Sequence, residues 1–345
     1  MILLTATAFG SWLLGFPMRR LLFKWNVIDQ PNARSSHTQP IARGGGLGIM
    51  LVLLGAAAGL LAVGTISPSR PLFGLLAGTL FVAVISFCDD LKPQPAWLRF
   101  GCHALAAGIL ITALGGPVVS ASWAADVGLA LPTGLGWFVL FLWLVGYANA
   151  FNFMDGINGI AAGQAALTGV GTALIGGIAG GDWLAPQVLL AEVVAGAGAG
   201  FLPHNFPRAR MFMGDVGSAA LGFVLAGLAI WLSHDHGWWL LIPLALLHAN
   251  FVLDTGITLI RRILRRERCL AAHREHFYQL LIRAGRSHVL VTGWEWVLQI
   301  CVLVLMVLYV NVGEQFRPWL AAVVVMLWFS FFGWSETVFR RVQTR

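Results

Sequence analysis

Charge is what this sequence has least of: 11% of its 345 residues are Asp, Glu, Lys or Arg, where a soluble domain carries about 25%. That excludes an ordinary water-soluble fold. Long polar stretches are equally scarce, the two longest being 19–43 and 261–287, so no separate soluble domain is expected. Internal repeats and low-complexity tracts are absent, which argues against solenoids and linkers. The four cysteines, Cys88, Cys102, Cys269 and Cys301, form no CxxC spacing. Free thiols buried in apolar helices are expected instead of a redox pair or a zinc ribbon.

What is present is apolar: 58% hydrophobic residues, 15 Trp and 41 Gly. Apolar runs of roughly 17–25 residues, each long enough to cross a bilayer as a helix, recur along the chain. They predict an all-α polytopic integral membrane protein with about eleven transmembrane helices, over 2–18, 44–66, 72–88, 97–119, 133–148, 158–178, 184–202, 215–233, 238–263, 288–310 and 318–339. The scattered glycines suit close helix packing in lipid. One domain, 1–345, is expected. Of the 22 Lys and Arg, only Arg70 and Arg317 fall on one side of this alternation. By the positive-inside rule the crowded side is cytoplasmic, which places the N-terminus in the periplasm and the C-terminus in the cytoplasm. Asp29, Asp89, Asp90, Asp155, Asp215, Glu267 and Glu275 gather on that same side, so the chemistry is expected there.

The stretch Asn149–Ile160, NAFNFMDGINGI, carries most of that expectation. Polar residues between two membrane-length runs are costly unless they line a site. Asp89-Asp90 closes the third run, and adjacent helical residues point about 100° apart, so the two carboxylates should have different partners. They read as a magnesium- or phosphate-handling pair, or as a solvated helix end, although acids there oppose the macrodipole. Asp155 and Asp215 precede apolar runs and read as helix N-caps, or as acids beside backbone N–H groups that hold a phosphate with Mg²⁺. Arg34-Ser35-Ser36-His37 and Arg43-Gly44-Gly45-Gly46 have anion-binding character. His273 and His276, with Arg274 between, fit phosphate contact better than zinc, for which further ligands at the right spacing are missing. Glu192, His103, His248 and Glu295 within apolar runs are expected to be buried, hydrogen-bonded groups.

In order, Asp29-x-Pro31-Asn32-x-Arg34-Ser35-Ser36-His37, Arg43-Gly44-Gly45-Gly46, Asp89-Asp90, Asn149-Ala150-x-Asn152-x-x-Asp155-Gly156, Asn205 through Phe212-Met213-Gly214-Asp215-x-Gly217-Ser218, Asp254 and Ala272–Gln279 resemble the polyprenyl-phosphate N-acetylhexosamine-1-phosphate transferases. They run over roughly three quarters of the chain in that family's order. The resemblance implies transfer of a phospho-sugar from a UDP-linked amino sugar to undecaprenyl phosphate, with release of UMP, at the cytoplasmic face of the bacterial inner membrane. It implies Asp89, Asp90 and Asp215 as catalytic carboxylates and Mg²⁺, or Mn²⁺, held by Asp215, Asp89 and Asn152. It assigns substrate contacts to Arg34, His37, Arg43, Asn149, Asn152, Asp155, Asn158, Asn205, Phe212, Asp254, His273, Arg274 and His276, with the Phe212 ring available to stack on uracil.

Two departures separate branches of that family. Asn158 stands where the peptidoglycan branch usually has a second acid, and His-Arg-Glu-His stands in place of a histidine run. Both point to the O-antigen (lipopolysaccharide) branch and a UDP-GlcNAc, UDP-QuiNAc or UDP-FucNAc donor. Expected partners are undecaprenyl phosphate, the UDP-N-acetylhexosamine and membrane lipids, with no nucleic acid, and the oligomeric state is open between a monomer and a homodimer. A transporter or flippase of an anionic or lipid-linked substrate is the competing class. Phosphatidyl- and prenyltransferases are disfavoured because their DGxxAR…GxxxDxxxD and NDxxDxxxD spacings are absent.

Overall fold

The apolar runs fold as helices that stand side by side. The structure is a computed structural model, and it describes residues 1–30, 39–115, 133–267 and 273–344. Helices α1 (Ile2–Lys24), α2 (Gly46–Ala62), α3 (Arg70–Leu91) and α4 (Ala96–Ala113) come first, with two short antiparallel strands, β1 (Ile28–Asp29) and β2 (Ile41–Ala42), between α1 and α2. Then follow α5 (Thr133–Met154), α6 (Ile160–Gly180), α7 (Pro186–Asn205) and α8 (Asp215–His236). The chain closes with α9 (Leu241–Leu246), α10 (Ala249–Leu264), α11 (Phe277–Arg283), α12 (His288–Asn311) and α13 (Arg317–Gln343). Eight described helices are long and apolar enough to cross a membrane, and the bent pair 238–246 and 249–264 adds a ninth candidate. The chain is therefore an all-α polytopic membrane protein.

Local sequence explains where helices start. Ser69 caps α3 by accepting from the Leu72 N–H at 3.3 Å, with Pro71 beside it. Ser287 does the same for α12 through Leu290, at 3.3 Å. Such caps satisfy backbone donors that have no partner inside the helix.

Helix α8 sits in the middle. Its residues are buried without a break from Val216 to Ser233, the pattern of a helix apolar on every face, and α3 and α5 flank it. Helix α1 runs beside and parallel to α7: Thr7 lies against Gly196 and His204 against Gly15, and Ser11 Oγ donates to the Ala197 carbonyl at 2.8 Å. Small residues let these backbones approach, so dispersion and two hydrogen bonds, the second between His204 Nε2 and the Trp12 carbonyl at 2.9 Å, do the packing. The alternation brings the ends of α1, α3, α5 and α7, and the starts of α2, α4, α6 and α8, to one end of the bundle.

Three expectations need correction. Residues 238–263 form no single straight helix; the two halves meet at 76°. At the break the Leu247 carbonyl takes bonds from Gln299 at 2.8 Å, Gln164 at 3.0 Å and Thr168 at 3.3 Å. Side chains inserted at a helix break are a recognised cause of such bends. Beyond the break, α10 has inverted polarity, with Asp254, Thr258 and Arg262 buried and Leu259, Ile260, Ile263 and Leu264 exposed. The cysteines also differ: Cys88, Cys102 and Cys301 are free, but Cys88 and Cys301 are exposed. Cys88 shares its outward stripe with Leu80, Val84 and Leu91, so lipid shields it in place of protein. Among the intramembrane polar residues, His103 faces Asn149, His248 Nδ1 meets the Leu244 carbonyl at 2.6 Å and Glu192 pairs with the terminal ammonium of Met1 at 3.2 Å. Glu295, by contrast, is buried with no hydrogen-bond partner for either oxygen among the described residues.

Candidate active site

The last turn of α3 delivers two aspartates to the start of α8, and their partners differ. Asp90 is fully buried, and its carboxylate accepts from the backbone N–H groups of Asp215 and Val216, both at 3.0 Å, and from Arg43 Nε at 2.8 Å. It is an N-cap for α8 supplied by another helix. Gly214 makes the approach feasible, because its φ is +74° and a Cβ there would lie 2.6 Å from Asp90 Oδ2. An L side chain would meet both backbone strain and a clash.

This arrangement corrects three expectations about anion binding. The N-terminus of α8 is occupied by a carboxylate of the protein itself. At the start of α6, the Gly159 N–H donates to Asn205 Oδ1 at 2.6 Å and the Asn158 N–H to His288 Nδ1 at 3.4 Å. In the Gly44-Gly45-Gly46 turn, Gly45 and Gly46 give their N–H groups to the carbonyls of Phe212 and Met213 at 2.9 and 2.8 Å. A Cβ on Gly46 would lie 2.2 Å from the Gly217 Cα, so these glycines serve close packing of α2 against α8. Donors already satisfied by protein cannot hold a phosphate as well. That work passes to side chains.

Asp215 and Asp89 are the acids left nearer to solvent. Arg43 Nη2 reaches Asp215 Oδ1 at 2.7 Å. Arg99 Nη1 lies 2.8 Å from Asp89 Oδ2 and 3.7 Å from Asp215 Oδ2. Asp89 also accepts from the Gln94 N–H, and its carboxyl is within hydrogen-bonding reach of Asp215. Arg43 is half-buried; burial alone would lower its pKa, but the carboxylates of Asp215 and Asp90 hold it above its ordinary value. At the end of α5, Asp155 keeps partial contact with the cavity described below. Its apolar surroundings nevertheless raise its pKa well above the usual carboxylate range; Asp215 and Asp90 add to the rise and Arg43 opposes it. Like charges crowded in a half-buried place raise each other in this way.

Beside these acids lies a cavity of about 320 Å³. Of the residues expected at the site it brings together Arg43, Asn152, Asp155, Asn158, Asn205, Phe212, Asp215 and Arg274. Its wall also includes Asp29 and Gln279, which belong to motifs quoted above but were given no contact, and Arg283 and His288, which sequence reasoning did not single out. Arg283 fell within the polar stretch 261–287 and His288 opened an expected helix, and no spacing distinguishes them.

Four expected residues lie elsewhere. Asn149 turns towards His103, at 3.3 Å, and the Val145 carbonyl, at 2.7 Å, because its place in α5 faces α4. Asp254 is fully buried in α10. It holds His276 Nδ1 at 2.9 Å, the Phe277 N–H at 2.9 Å and the Thr258 hydroxyl at 3.3 Å. It fixes the segment that carries Arg274 to the cavity wall; both its oxygens are engaged in that task. His273 and His276 precede α11 in a non-helical stretch, with ring centroids 4.9 Å apart. Burial, then His276 and Arg262, lower the pKa of His273 and favour a neutral imidazole. Arg34 and His37 lie outside the described residues.

Among the described residues no group of three His, Cys, Asp or Glu side chains forms a ready cage for a metal ion. Mg²⁺ asks for less, binding through one or two carboxylates together with waters and substrate phosphates. Asp215 and Asp89, with Asp155 and Asn152 on the cavity wall, are hard oxygen donors. Burial is the main cause of the raised Asp155 pKa, and the part that Asp215 and Asp90 add to it is repulsion that a cation would relieve. The residues present fit such an ion.

A model of glycosyl transferase family 4 matches residues 72–233. A Bacillus subtilis protein named probable undecaprenyl-phosphate N-acetylglucosaminyl 1-phosphate transferase is 31% identical over 277 residues, covering 79% of this chain and 74% of its own. A Mycolicibacterium smegmatis decaprenyl-phosphate N-acetylglucosaminephosphotransferase is 30% identical over 314 residues, covering 83% and 75%. A Synechococcus phospho-N-acetylmuramoyl-pentapeptide-transferase is 32% identical over 270 residues, covering 74% and 73%. Similarity of this extent thus reaches proteins named for more than one sugar.

Proposed function

The chain belongs to glycosyl transferase family 4, the polyprenyl-phosphate N-acetylhexosamine-1-phosphate transferases, and from that premise we propose that it moves an N-acetylhexosamine-1-phosphate from a UDP-sugar to undecaprenyl phosphate. The observation that carries the reading is the convergence of Asp215, Asp89, Arg43 and Arg99 beside a cavity walled by Asn152, Asp155, Phe212 and Arg274. Related proteins are named for this reaction with undecaprenyl or decaprenyl phosphate. A transporter or flippase fits less well, because the acids gather at one end of the bundle and not at its middle.

In this reading an oxygen of the lipid phosphate attacks the phosphorus that bears the sugar. The bond from that phosphorus to the oxygen of UMP breaks, and UMP leaves with the electron pair. With a second pKa near 6, the acceptor is mostly dianionic at neutral pH, so cancelling charge between two anions matters more than a strong base. Arg274 and Arg283 face the cavity and meet the diphosphate; Phe212 offers its ring to the uracil. Asp89, held by Arg99 and the Gln94 N–H, orients the acceptor. Asp90 acts as a positioning residue, since its oxygens are spent on Arg43 and the start of α8. Hydrogen bonds from Arg43 and two backbone N–H groups make Asp90 a poor nucleophile, which disfavours a covalent phospho-sugar adduct on that residue. Bound Mg²⁺, for which Asp215, Asp89 and Asn152 are the proposed ligands, would supply further neutralisation of the diphosphate.

The finer features follow the same proposal. The eight long apolar helices, the bent pair, α1 and α2 together give eleven crossings, with the site end in the cytoplasm of a bacterial inner membrane. The whole chain works as one transferase unit. Asn158 and the His-Arg-Glu-His segment favour a GlcNAc, QuiNAc or FucNAc donor over the muramyl pentapeptide, and hence the first membrane step of O-antigen or a related surface polysaccharide.

The test is UMP release by detergent-purified protein given undecaprenyl phosphate and a panel of UDP-sugars. UMP should appear with a UDP-N-acetylhexosamine only when the lipid is present, stop with EDTA and return with Mg²⁺ or Mn²⁺. No UMP from any member of the panel would overturn the reaction. Preference for UDP-muramyl-pentapeptide would overturn the branch, and stoichiometric UMP without acceptor would overturn direct attack.

A further inference from the structure

Among the arginines at the same end of the molecule to which the reaction gives no task, three share one cavity. Because α1 runs parallel to α7, its last turns come level with the end of α7 and the loop that follows. Arg19 from α1 and Arg208 and Arg210 from that loop line a second cavity of about 580 Å³, and it adjoins the first along Asn158, Phe212 and His288. All three arginines are exposed, and among the described residues none forms an ion pair with a carboxylate. By contrast, Arg43 and Arg99 at this end of the bundle are each held by acids, Arg43 by Asp90 and Asp215 and Arg99 by Asp89. An unmatched trio of planar forks around a cavity is a receptor for a phosphate or another oxyanion.

The surroundings say what carries that anion. Arg19 also borders an outward cleft with Phe16, Arg20 and Phe23, and its guanidinium lies 5.6 Å from the Phe23 ring centroid. Along the same helix Phe9, Trp12, Leu13 and Phe16 are exposed. This apolar strip faces the bilayer, and the arginines stand at its foot. A free phosphate would use only the arginines. An acyl-chain ligand with a phosphate at its head uses both.

We propose that the cleft of α1 and the Arg19–Arg208–Arg210 cavity form a binding site for an anionic phospholipid of the surrounding bilayer, separate from the site of phosphoryl transfer. The phosphate sits among the three guanidiniums and the chains lie along Phe16 and the helix above it. Its occupant orders the 206–212 loop that carries Phe212, which couples the lipid to the donor cavity. The proposal rests on the membrane fold and the arginine geometry, and not on the identity of the transferred sugar.

Native mass spectrometry of the detergent-purified full chain, titrated with phosphatidylglycerol or phosphatidylcholine, tests it directly. Each basic residue near a membrane surface favours an anionic lipid by about fivefold. The triple variant R19Q/R208Q/R210Q should therefore lose on the order of a hundredfold in retained phosphatidylglycerol. The charge-conserving R19K/R208K/R210K should keep most of it, and so exclude a folding defect as the cause. Phosphatidylcholine should bind the wild type and the Gln variant alike. Unchanged phosphatidylglycerol retention by the Gln variant overturns the proposal, as does an equal loss from R340Q/R341Q at the far end of α13. Unchanged retention together with a raised KM for undecaprenyl phosphate in phosphatidylcholine nanodiscs also overturns it, and assigns the arginines to the acceptor.

Discussion

Asp90 and Asp215 look interchangeable in the sequence, yet they occupy opposite electrostatic situations. Asp90 is buried and gives its oxygens to two backbone N–H groups and Arg43. Asp90→Asn exchanges hydrogen bonds to a charged acceptor for weaker ones and leaves a donor amide facing N–H groups. A cost of about 2 kcal/mol is expected, seen as a lowered Tm together with lost UMP release. Asp215 is partly exposed, and in Asp215→Asn Arg43 keeps Asp90 as its partner. That variant should melt near the wild type while turnover falls by at least about a hundredfold. A wild-type Tm for Asp90→Asn would refute the capping role. Asp155 differs again, since its pKa is raised, chiefly by burial and then by Asp215. A carboxyl with a raised folded pKa binds more protons in the native state than in the unfolded one across the interval between the two pKa values. Its stabilising effect is present below the unfolded pKa and is lost as pH rises through the folded one. In EDTA, wild-type Tm should therefore decline as pH climbs above the ordinary carboxylate range, and Asp155→Asn should flatten that decline. An unchanged slope in the variant would assign it to another group.

At the scale of elements, the contact between α2 and α8 is set by the absence of side chains. Gly46→Ala puts a Cβ 2.2 Å from the Gly217 backbone, whereas Gly48, half a turn on, has nothing within 4 Å of the same atom. Overpacking of the first kind costs about 1–3 kcal/mol and displaces the turn that presents Arg43. Gly48→Ala removes flexibility from a helix interior and stabilises by about 0.5–1 kcal/mol. Thermal unfolding and UMP release should thus drop together for Gly46→Ala and hold or rise for Gly48→Ala; matching losses would show that helix propensity, not contact, governs both. The apolar runs made these helices legible, and α8 begins at Asp215 as its sequence suggested. The run 238–263 hid a bend, because the causes of the bend, Gln164, Thr168 and Gln299, come from helices distant in sequence. The site divides in the same way. The acids stood out by their place at the ends of apolar runs and Phe212 and Asn205 through the family resemblance, whereas the partners that fix the acids, Arg99 and Gln94, depend on how helix ends meet. The helix N-termini looked free in the sequence for the same reason, since Asp90 reaches its backbone partners across 125 residues.

The whole molecule is asymmetric. Seventeen of its 19 described basic residues fall on the side where α3 ends and α8 begins, which is also where Asp89, Asp90, Asp155 and Asp215 meet. A bilayer enforces the first pattern through orientation during insertion, and the second follows if both substrates are met on the cytoplasmic side. The two patterns have independent causes, so their coincidence at one end makes orientation a test of function as well as topology. Lys92, exposed in the turn after α3, marks the site end; Asp182, exposed in the turn after α6, marks the other. In a cysteine-free background, K92C should react with a membrane-impermeant maleimide in inverted vesicles and stay unlabelled in right-side-out spheroplasts. D182C should show the reverse. Because α4, α5 and α6 separate the two positions, opposite labelling also requires an odd number of crossings between them. Labelling of both from one side would mean that one of these helices does not cross. Labelling of K92C from the outside alone would put the acids in the periplasm, where no UDP-sugar made in the cytoplasm could reach them, and the proposed transfer would fall with the orientation.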